Sequence, residues 1–182
     1  GTDSGVIRKI VWKGAWDLFL KYPLFGSGVE TFAYGYYQTR PVEHNLTTEW
    51  NFLYNKAHNE YLNYLSTTGL LGITSYLSVI IASLYIFYKS RKDQLNVALL
   101  SGYIGILVSN FFGFSTVPVN FLFFIFPALT IVSSVKKSES ATINFSNTDS
   151  KQKTFIVLIG LLSFYLLINL VKYFVADIYY AK

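Results

Sequence analysis

From residue 69 onward the chain alternates long apolar stretches with short polar segments. A helix that crosses a bilayer needs about 20 predominantly apolar residues, and such stretches cover residues 69–88, 95–114, 117–135 and 155–171. This pattern predicts an all-α integral membrane protein with about four transmembrane helices in residues 69–182. Between the last two spans, residues 136–153 are rich in Ser, Thr and Asn, which predicts a disordered cytoplasmic linker.

The first 68 residues are more polar and are rich in Tyr and Trp. Over residues 5–22 the apolar positions recur at the spacing of one helix face, which predicts a first amphipathic helix. A second helix is predicted over residues 48–68, with a local bend at Gly69. Helices of this kind suit the surface of a membrane, so residues 1–68 are predicted to form an extracytoplasmic region.

Two glycines lie in the segment between these helices. Pro23 ends the first helix, and Gly26 and Gly28 are free to adopt positive φ. Backbone N–H groups in such a turn can form an anion-binding nest. A single Gly-x-Gly is a weak signal for a nest, and a plain turn is the favoured interpretation.

Composition supports the membrane assignment and narrows the chemistry. Charged residues are 14% of the chain, against about 25% in soluble domains, and 52% of residues are hydrophobic. The chain has no cysteine and two histidines. Disulfides and thiolate metal sites are therefore excluded, and neither a metal nor a cofactor is predicted.

The net charge of +5 is unevenly distributed. Residues 1–68 carry six basic and six acidic side chains, whereas the excess lies in the loops 89–94 and 136–153. Basic residues concentrate in the cytoplasmic loops of membrane proteins. This bias predicts that both loops are cytoplasmic, that residues 1–68 face outside, and that the charge does not mark a nucleic-acid-binding surface.

His58 is the first candidate for chemistry, because an imidazole titrates near neutral pH and can take a proton from a hydroxyl. The alternative is an interfacial histidine that only completes a hydrogen-bond network. His44 lies in a polar loop and is expected to be solvated. Glu60 follows His58 by two residues, on another face of the predicted helix, and is not assigned as its partner.

Arg8 and Arg40 are candidate anion ligands, because guanidinium is permanently charged and matches phosphate geometry. Arg8 and Trp12 are four residues apart and share a helix face. The alternative for Arg8 is an arginine that extends along a tryptophan towards the interface. Arg40 precedes Pro41 in a loop, where solvent exposure is the default expectation.

Three motifs in this order resemble the O-antigen ligase/O-antigen polymerase family. They are Arg8-x-x-x-Trp12, then Tyr22-Pro-Leu-Phe-Gly-Ser-Gly28, then Ala57-His58-Asn59-x-x-Leu62 with Thr68-Gly-Leu-Leu-Gly72. The resemblance covers residues 4–88 and implies a metal-independent membrane glycosyltransferase of the GT-C type. Such an enzyme moves a glycan from a polyprenyl-pyrophosphate carrier to a glycan, lipid or protein acceptor hydroxyl at the bacterial cytoplasmic membrane.

By this resemblance His58 and Arg8 are catalytic, and Arg40, Trp12, Asn59 and Tyr61 are candidates for substrate binding. The family has about a dozen spans, so these residues are expected to be part of a longer protein and to be inactive alone. The competing interpretation is a non-catalytic glycolipid carrier or flippase-like subunit. Carriers place charged or broken residues within their spans, and these spans are nearly free of ionisable groups, which favours the enzyme. A structural anchor would not require His58 and Arg8.

Overall fold

The computed structural model describes residues 1–136 and 150–180, and its regular segments are all helical. Helix α1 spans Ser4–Lys21 and α2 spans Phe32–Thr39, followed by a 3₁₀ turn over Val42–Leu46. Four longer helices follow, namely α3 (Glu60–Lys89), α4 (Gln94–Phe112), α5 (Val117–Lys136) and α6 (Ser150–Tyr180). The described residues contain no strand, so the all-α prediction is confirmed.

Four helices of the described part are long and apolar enough to cross a membrane. Their candidate spans are Glu60–Lys89, Gln94–Phe112, Val117–Ser134 and Gln152–Ala176. The prediction of about four membrane-crossing helices is therefore confirmed, and the protein is a multi-pass membrane protein. Helix occupies both ends of the predicted linker 136–153, because α5 reaches Lys136 and α6 begins at Ser150. The remaining linker residues, 137–149, lie outside the described part.

The chain divides into two compact units, Gly1–Glu139 and Ser140–Lys182, and the second contains α6. In the first unit α3, α4 and α5 pack against one another around an aromatic cluster. The ring of Phe123 stacks on Tyr76 at 5.5 Å and on Tyr103 at 5.2 Å between centroids. A second cluster joins α1 to α2 through Val11, Leu18, Phe32 and other buried side chains. Since α1 also packs on α3, the polar N-terminal region is fixed to the helical bundle.

The helix predicted over 48–68 is wrong over its first part. Residues 47–59 form an irregular loop, and α3 begins only at Glu60. The side chain of Asn59 accepts a hydrogen bond from the N–H of Leu62 at 3.0 Å and so caps the helix at that point. The stretch contains three asparagines, whose side chains compete for backbone hydrogen bonds and favour turns and caps over helix interiors.

The predicted bend at Gly69 is a complete break in the helical backbone, with φ 65° and ψ −164°. A break leaves the last carbonyls before it without helical partners. Here the carbonyl of Ser66 accepts from the N–H of Ser27 at 3.0 Å, and that of Thr67 accepts from Gly28 at 2.9 Å. These two N–H groups are engaged with α3, so the turn is structural and does not form an anion-binding nest.

The same turn also satisfies the first N–H groups after the break. The N–H of Leu70 donates to the carbonyl of Pro23 at 2.8 Å, and that of Leu71 donates to Leu24 at 3.3 Å. The approach is so close that a Cβ on Gly26 would lie 2.2 Å from the backbone of α3. With its φ of 70°, this position accepts only glycine without strain. The Tyr-Pro-Leu-Phe-Gly-Ser-Gly segment therefore joins the N-terminal region to the broken helix.

Candidate active site

His58 lies in the loop that leads into α3 and has a left-handed backbone, with φ 54°. Such a conformation costs a non-glycine residue about 1–3 kcal/mol and persists where its neighbours are fixed. The N–H of Ala57, on one side, donates to Asn63 Oδ1 at 3.3 Å. Asn59, on the other side, is the helix cap. Strained residues of this kind are more frequent at functional sites, and in the described part of the chain His58 shares this backbone conformation with one other non-glycine residue, Glu30.

Two aromatic rings enclose the imidazole of His58. The ring of Tyr54 lies 5.6 Å from it and that of Phe114 lies 5.2 Å from it, both edge to face. Phe114 follows α4, so the connection between α4 and α5 forms one wall of the site. The imidazole is only partly buried and stays accessible from the remaining side.

The first cavity, which we call the His58 cavity, brings together two side chains that are 50 residues apart in the chain. It has a volume of about 200 Å³ and is lined by Ser4, Ile7, Arg8, Glu49, Phe52, Tyr54 and His58. Arg8 comes from the first turns of α1, and His58 comes from the loop before α3. The packing of α1 on α3 therefore creates a site with a permanent cation beside a titratable base.

The electrostatics of the His58 cavity favour a neutral imidazole. Burial and the positive charge of Arg8 lower the pKa of His58 below its usual range, and Glu49 only partly offsets them. The hydroxyl of Tyr54 donates to the Glu49 carboxylate, and burial together with this bond raises the pKa of Tyr54. At neutral pH the site therefore offers an unprotonated imidazole, a guanidinium and a carboxylate held by a tyrosine.

The other histidine, His44, is fully buried, so the expectation that it is solvated is wrong. Its Nδ1 lies 2.6 Å from the hydroxyl of Tyr36, and its Nε2 lies 3.2 Å from the carbonyl of Glu49. Burial raises the pKa of Tyr36 to about 12, so this hydroxyl keeps its proton and donates it to Nδ1. The Nε2–H then donates to the carbonyl. Burial and Arg40 lower the pKa of His44, and both of its nitrogens are engaged.

Two of the predicted substrate ligands lie away from the His58 cavity. Arg40 ends α2, and its guanidinium donates to the carbonyl of Trp50. Trp12 lies edge to face with Phe111 at 5.8 Å and so connects α1 to α4. Buried nitrogens of both side chains, Nε of Arg40 and Nε1 of Trp12, have no hydrogen-bond partner in the described part of the chain.

The other two predicted ligands have structural contacts. Asn59 is buried and caps α3. The hydroxyl of Tyr61 donates to the carbonyl of Leu107 at 3.1 Å, which ties α3 to α4. Neither residue lines the His58 cavity. The structure therefore brings Arg8 and His58 together and places Arg40, Trp12, Asn59 and Tyr61 in the surrounding framework.

Sequence reasoning missed Glu49 and Phe114 at the site. Glu49 reaches the cavity because the chain is irregular from residue 47 to 59, and no periodic pattern reports where an irregular loop leads. Phe114 is the last residue of the predicted span 95–114 and adjoins the uncharged turn that follows it. A phenylalanine at the end of a span carries no spacing signal that would separate a wall of the site from an interfacial aromatic residue.

The N-terminal part of the chain is similar to a known protein family. Residues 1–77 match the family model described as O-antigen ligase, a stretch that includes both Arg8 and His58. No curated protein and no solved structure matches the chain. The matched residues contain α1, α2, the His58 loop and the broken start of α3. Residues 1–77 of this multi-pass membrane protein are therefore similar to the O-antigen ligase family.

Proposed function

We propose that the protein transfers a glycan from a polyprenyl-pyrophosphate carrier to an acceptor hydroxyl at the outer face of the bacterial cytoplasmic membrane. The observation that supports this proposal is that Arg8 and His58 line one cavity. In the reaction the anomeric carbon loses its bond to the pyrophosphate oxygen and gains a bond to the acceptor oxygen. The acceptor proton passes to His58, and the carrier leaves as its pyrophosphate.

The residue types match the two demands of this step. A sugar hydroxyl is a weak nucleophile, and a base within hydrogen-bond reach accelerates its attack. The pKa of His58 is lowered, so the imidazole is free to accept a proton at neutral pH. The departing pyrophosphate gains negative charge, and in this proposal Arg8 stabilises that charge through paired N–H donors. The proposed step requires no metal ion.

The remaining side chains have supporting roles in this proposal. Tyr54 donates to the Glu49 carboxylate, and in this proposal that hydrogen bond competes with pairing between Glu49 and Arg8. Arg40, Trp12, Asn59 and Tyr61 hold the loop and the helices around the cavity, in place of the substrate contacts expected for them.

The test is transfer by the purified full-length protein in proteoliposomes that contain a polyprenyl-pyrophosphate glycan and candidate acceptors. Arg8→Ala is expected to reduce transfer by roughly 10²-fold or more. Arg8→Lys is expected to reduce transfer by less than Arg8→Ala does, because lysine keeps the positive charge but lacks the paired N–H donors of guanidinium. Lys9→Ala is the matched control, since it removes a neighbouring charge of α1 that does not line the cavity.

Product analysis separates transfer from transport. A transferase releases polyprenyl pyrophosphate and forms a new glycoside, whereas a carrier or flippase-like subunit moves the lipid intact. Wild-type rates in both Arg8 variants would contradict the role of Arg8. Movement of the lipid without any new glycoside would favour the carrier.

The outer placement of residues 1–68 is part of the proposal, and the absence of native cysteine makes it easy to test. Two single-cysteine variants are used: Asn45→Cys, at an exposed position of the 3₁₀ turn, and Lys92→Cys, in the basic loop before α4. An impermeant thiol reagent added to intact spheroplasts is expected to label Cys at 45 and not at 92. Labelling in the reverse pattern would overturn the topology.

A further inference from the structure

A second cavity, which we call the Glu60 cavity, lies where the start of α3 meets the connection between α4 and α5. Its volume is about 290 Å³, and its lining includes Glu30, Lys56, Glu60, Asn63, Tyr64 and Asn120. In the described part of the chain it shares no lining residue with the His58 cavity. The proposed reaction uses none of these side chains.

Glu60 is the most unusual group in this cavity. It is only 6% exposed, and a buried carboxylate is costly unless hydrogen-bond donors surround it. Within the described residues the donor it receives is the N–H of Ser115, at 3.3 Å from Oε2. A carboxylate offers about four acceptor positions. Glu60 therefore retains acceptor capacity beside an open cavity.

The Glu60 cavity has a net negative charge, whereas in the His58 cavity the Glu49 carboxylate balances the Arg8 guanidinium. Lys56 and Glu30 form an ion pair at 2.5 Å and cancel each other. The remaining charge is the carboxylate of Glu60, which repels phosphate and attracts hydroxyl donors. A pyrophosphate therefore does not fit this cavity, whereas an uncharged polyol does.

The neutral side chains around Glu60 add the amide groups and the aromatic surface that a sugar ring requires. Asn63 uses its Oδ1 to accept from Ala57 at 3.3 Å, so its amide NH₂ stays available as a donor. Asn120 adds a second amide, and Tyr64 adds an aromatic wall. A carboxylate together with amides pairs with vicinal hydroxyl groups, which both donate and accept. The volume is near the lower end for ligand pockets, about 300 Å³, which suits one ring.

We propose that the Glu60 cavity binds one uncharged, hydroxyl-rich sugar ring of the acceptor. This assignment rests on the proposed transfer function. One loop links the two cavities, because Phe114 packs on the His58 ring at 5.2 Å and the next residue, Ser115, donates to Glu60. In this proposal the loop couples the acceptor sugar at Glu60 to the base at His58, which precedes Glu60 by two residues in the chain.

The test measures binding and does not require turnover. The protein in nanodiscs is titrated with methyl glycosides of neutral hexoses, with a methyl glucuronide and with inorganic pyrophosphate, followed by saturation-transfer NMR. At least one neutral hexoside is expected to bind, and the anionic glucuronide is expected to bind about tenfold more weakly. Glu60→Gln keeps an acceptor for Ser115 and is expected to weaken hexoside binding by about tenfold or more.

A second variant protects the test against a loss of folding. Asn120→Leu removes an amide from the cavity lining and narrows the cavity from α5, and it is expected to weaken hexoside binding by about tenfold or more while the thermal midpoint stays near that of the wild type. The matched controls are Glu43→Gln and Asn51→Leu, at exposed positions outside the cavity. Arg8→Ala is expected to weaken pyrophosphate binding only.

Two results would overturn the assignment. One is the absence of hexoside binding by the wild-type protein, and the other is unchanged binding in both Glu60→Gln and Asn120→Leu. Because binding is measured without a lipid-linked donor, either result leaves the transfer function to its own assay. Conversely, hexoside binding that depends on Glu60 in a protein that transfers nothing would support this site and contradict the proposed function.

Discussion

The 3₁₀ turn around His44 and the loop around His58 contain the same dipeptide, His-Asn, in opposite surroundings. His44 is fully buried, with both ring nitrogens engaged. His58 is partly accessible, has a strained backbone and shares a cavity with Arg8. Tyr54 lies between them, 5.2 Å from the first ring and 5.6 Å from the second. The contrast shows that burial and two hydrogen bonds occupy the ring nitrogens of His44, whereas within the described residues those of His58 have no protein partner and remain accessible.

The largest effect is expected from His58→Asn. Asparagine tolerates the left-handed backbone better than alanine does, so the fold should be kept. Glycan transfer is expected to fall by about 10²–10⁴-fold, the usual contribution of a positioned base. Transfer per molecule of membrane-inserted protein, with the inserted amount measured by fluorescence size exclusion, checks it. Near-normal transfer at a normal inserted level would remove His58 from the mechanism.

The opposite pattern is expected for His44→Ala. The change leaves the Tyr36 hydroxyl buried without its partner, which costs about 1–3 kcal/mol of folding free energy. Transfer per folded molecule is expected to stay at the wild-type value. Thermal unfolding in detergent, read beside the transfer assay, measures both quantities. A large loss of turnover in a fully folded His44→Ala protein would break the distinction between the two histidines.

A smaller effect is expected from Tyr54→Phe, which removes the hydroxyl and keeps the ring between the two histidines. Without this donor the Glu49 carboxylate is free to pair with Arg8 and to weaken its hold on pyrophosphate. Transfer is expected to fall by roughly tenfold, in line with the loss of one hydrogen bond to a charged group. This loss should appear as a higher KM for the lipid-linked donor. An unchanged KM would show that Glu49 does not compete for Arg8.

The smallest effect is a shift in the pH profile. Burial, and then the charge of Arg8, lower the pKa of His58, so the neutral base persists below the ordinary histidine value of about 6.5. Transfer is expected to fall only as pH drops through this lowered pKa. In Arg8→Gln the midpoint of the acid limb should move to higher pH. The pH profile of kcat/KM, measured for the wild type and for Arg8→Gln, gives the midpoint of each acid limb. A wild-type midpoint above about pH 6.5, the ordinary histidine value, would contradict the lowered pKa of His58.

The sequence predicted the parts of this protein that periodicity and apolar length control. The first helix was expected over residues 5–22 and spans Ser4–Lys21. The break at Gly69 was expected as a bend. Arg8 and His58 were identified as a pair from residue type and family resemblance, and the structure brings them to one cavity.

What could not be predicted depends on irregular backbone. The helix expected over 48–68 fails because asparagine side chains take backbone hydrogen bonds that a helix would use. Glu49 reaches the cavity only through that loop. Local spacing also gave no sign that His44 would be buried, since its burial comes from packing against Tyr36 on α2. Long-range contacts of this kind leave no pattern in a short window of sequence.

The four hydrogen bonds between residues 23–28 and the two sides of Gly69 have a consequence for biogenesis. Unpaired backbone groups are poorly tolerated in lipid, so this end of α3 needs external partners before it can settle. Those partners lie earlier in the chain and leave the ribosome before the break does. The hydrogen-bond partners of the break are therefore synthesised before the break itself, and insertion of α3 is expected to be coupled to the folding of residues 23–28 against it.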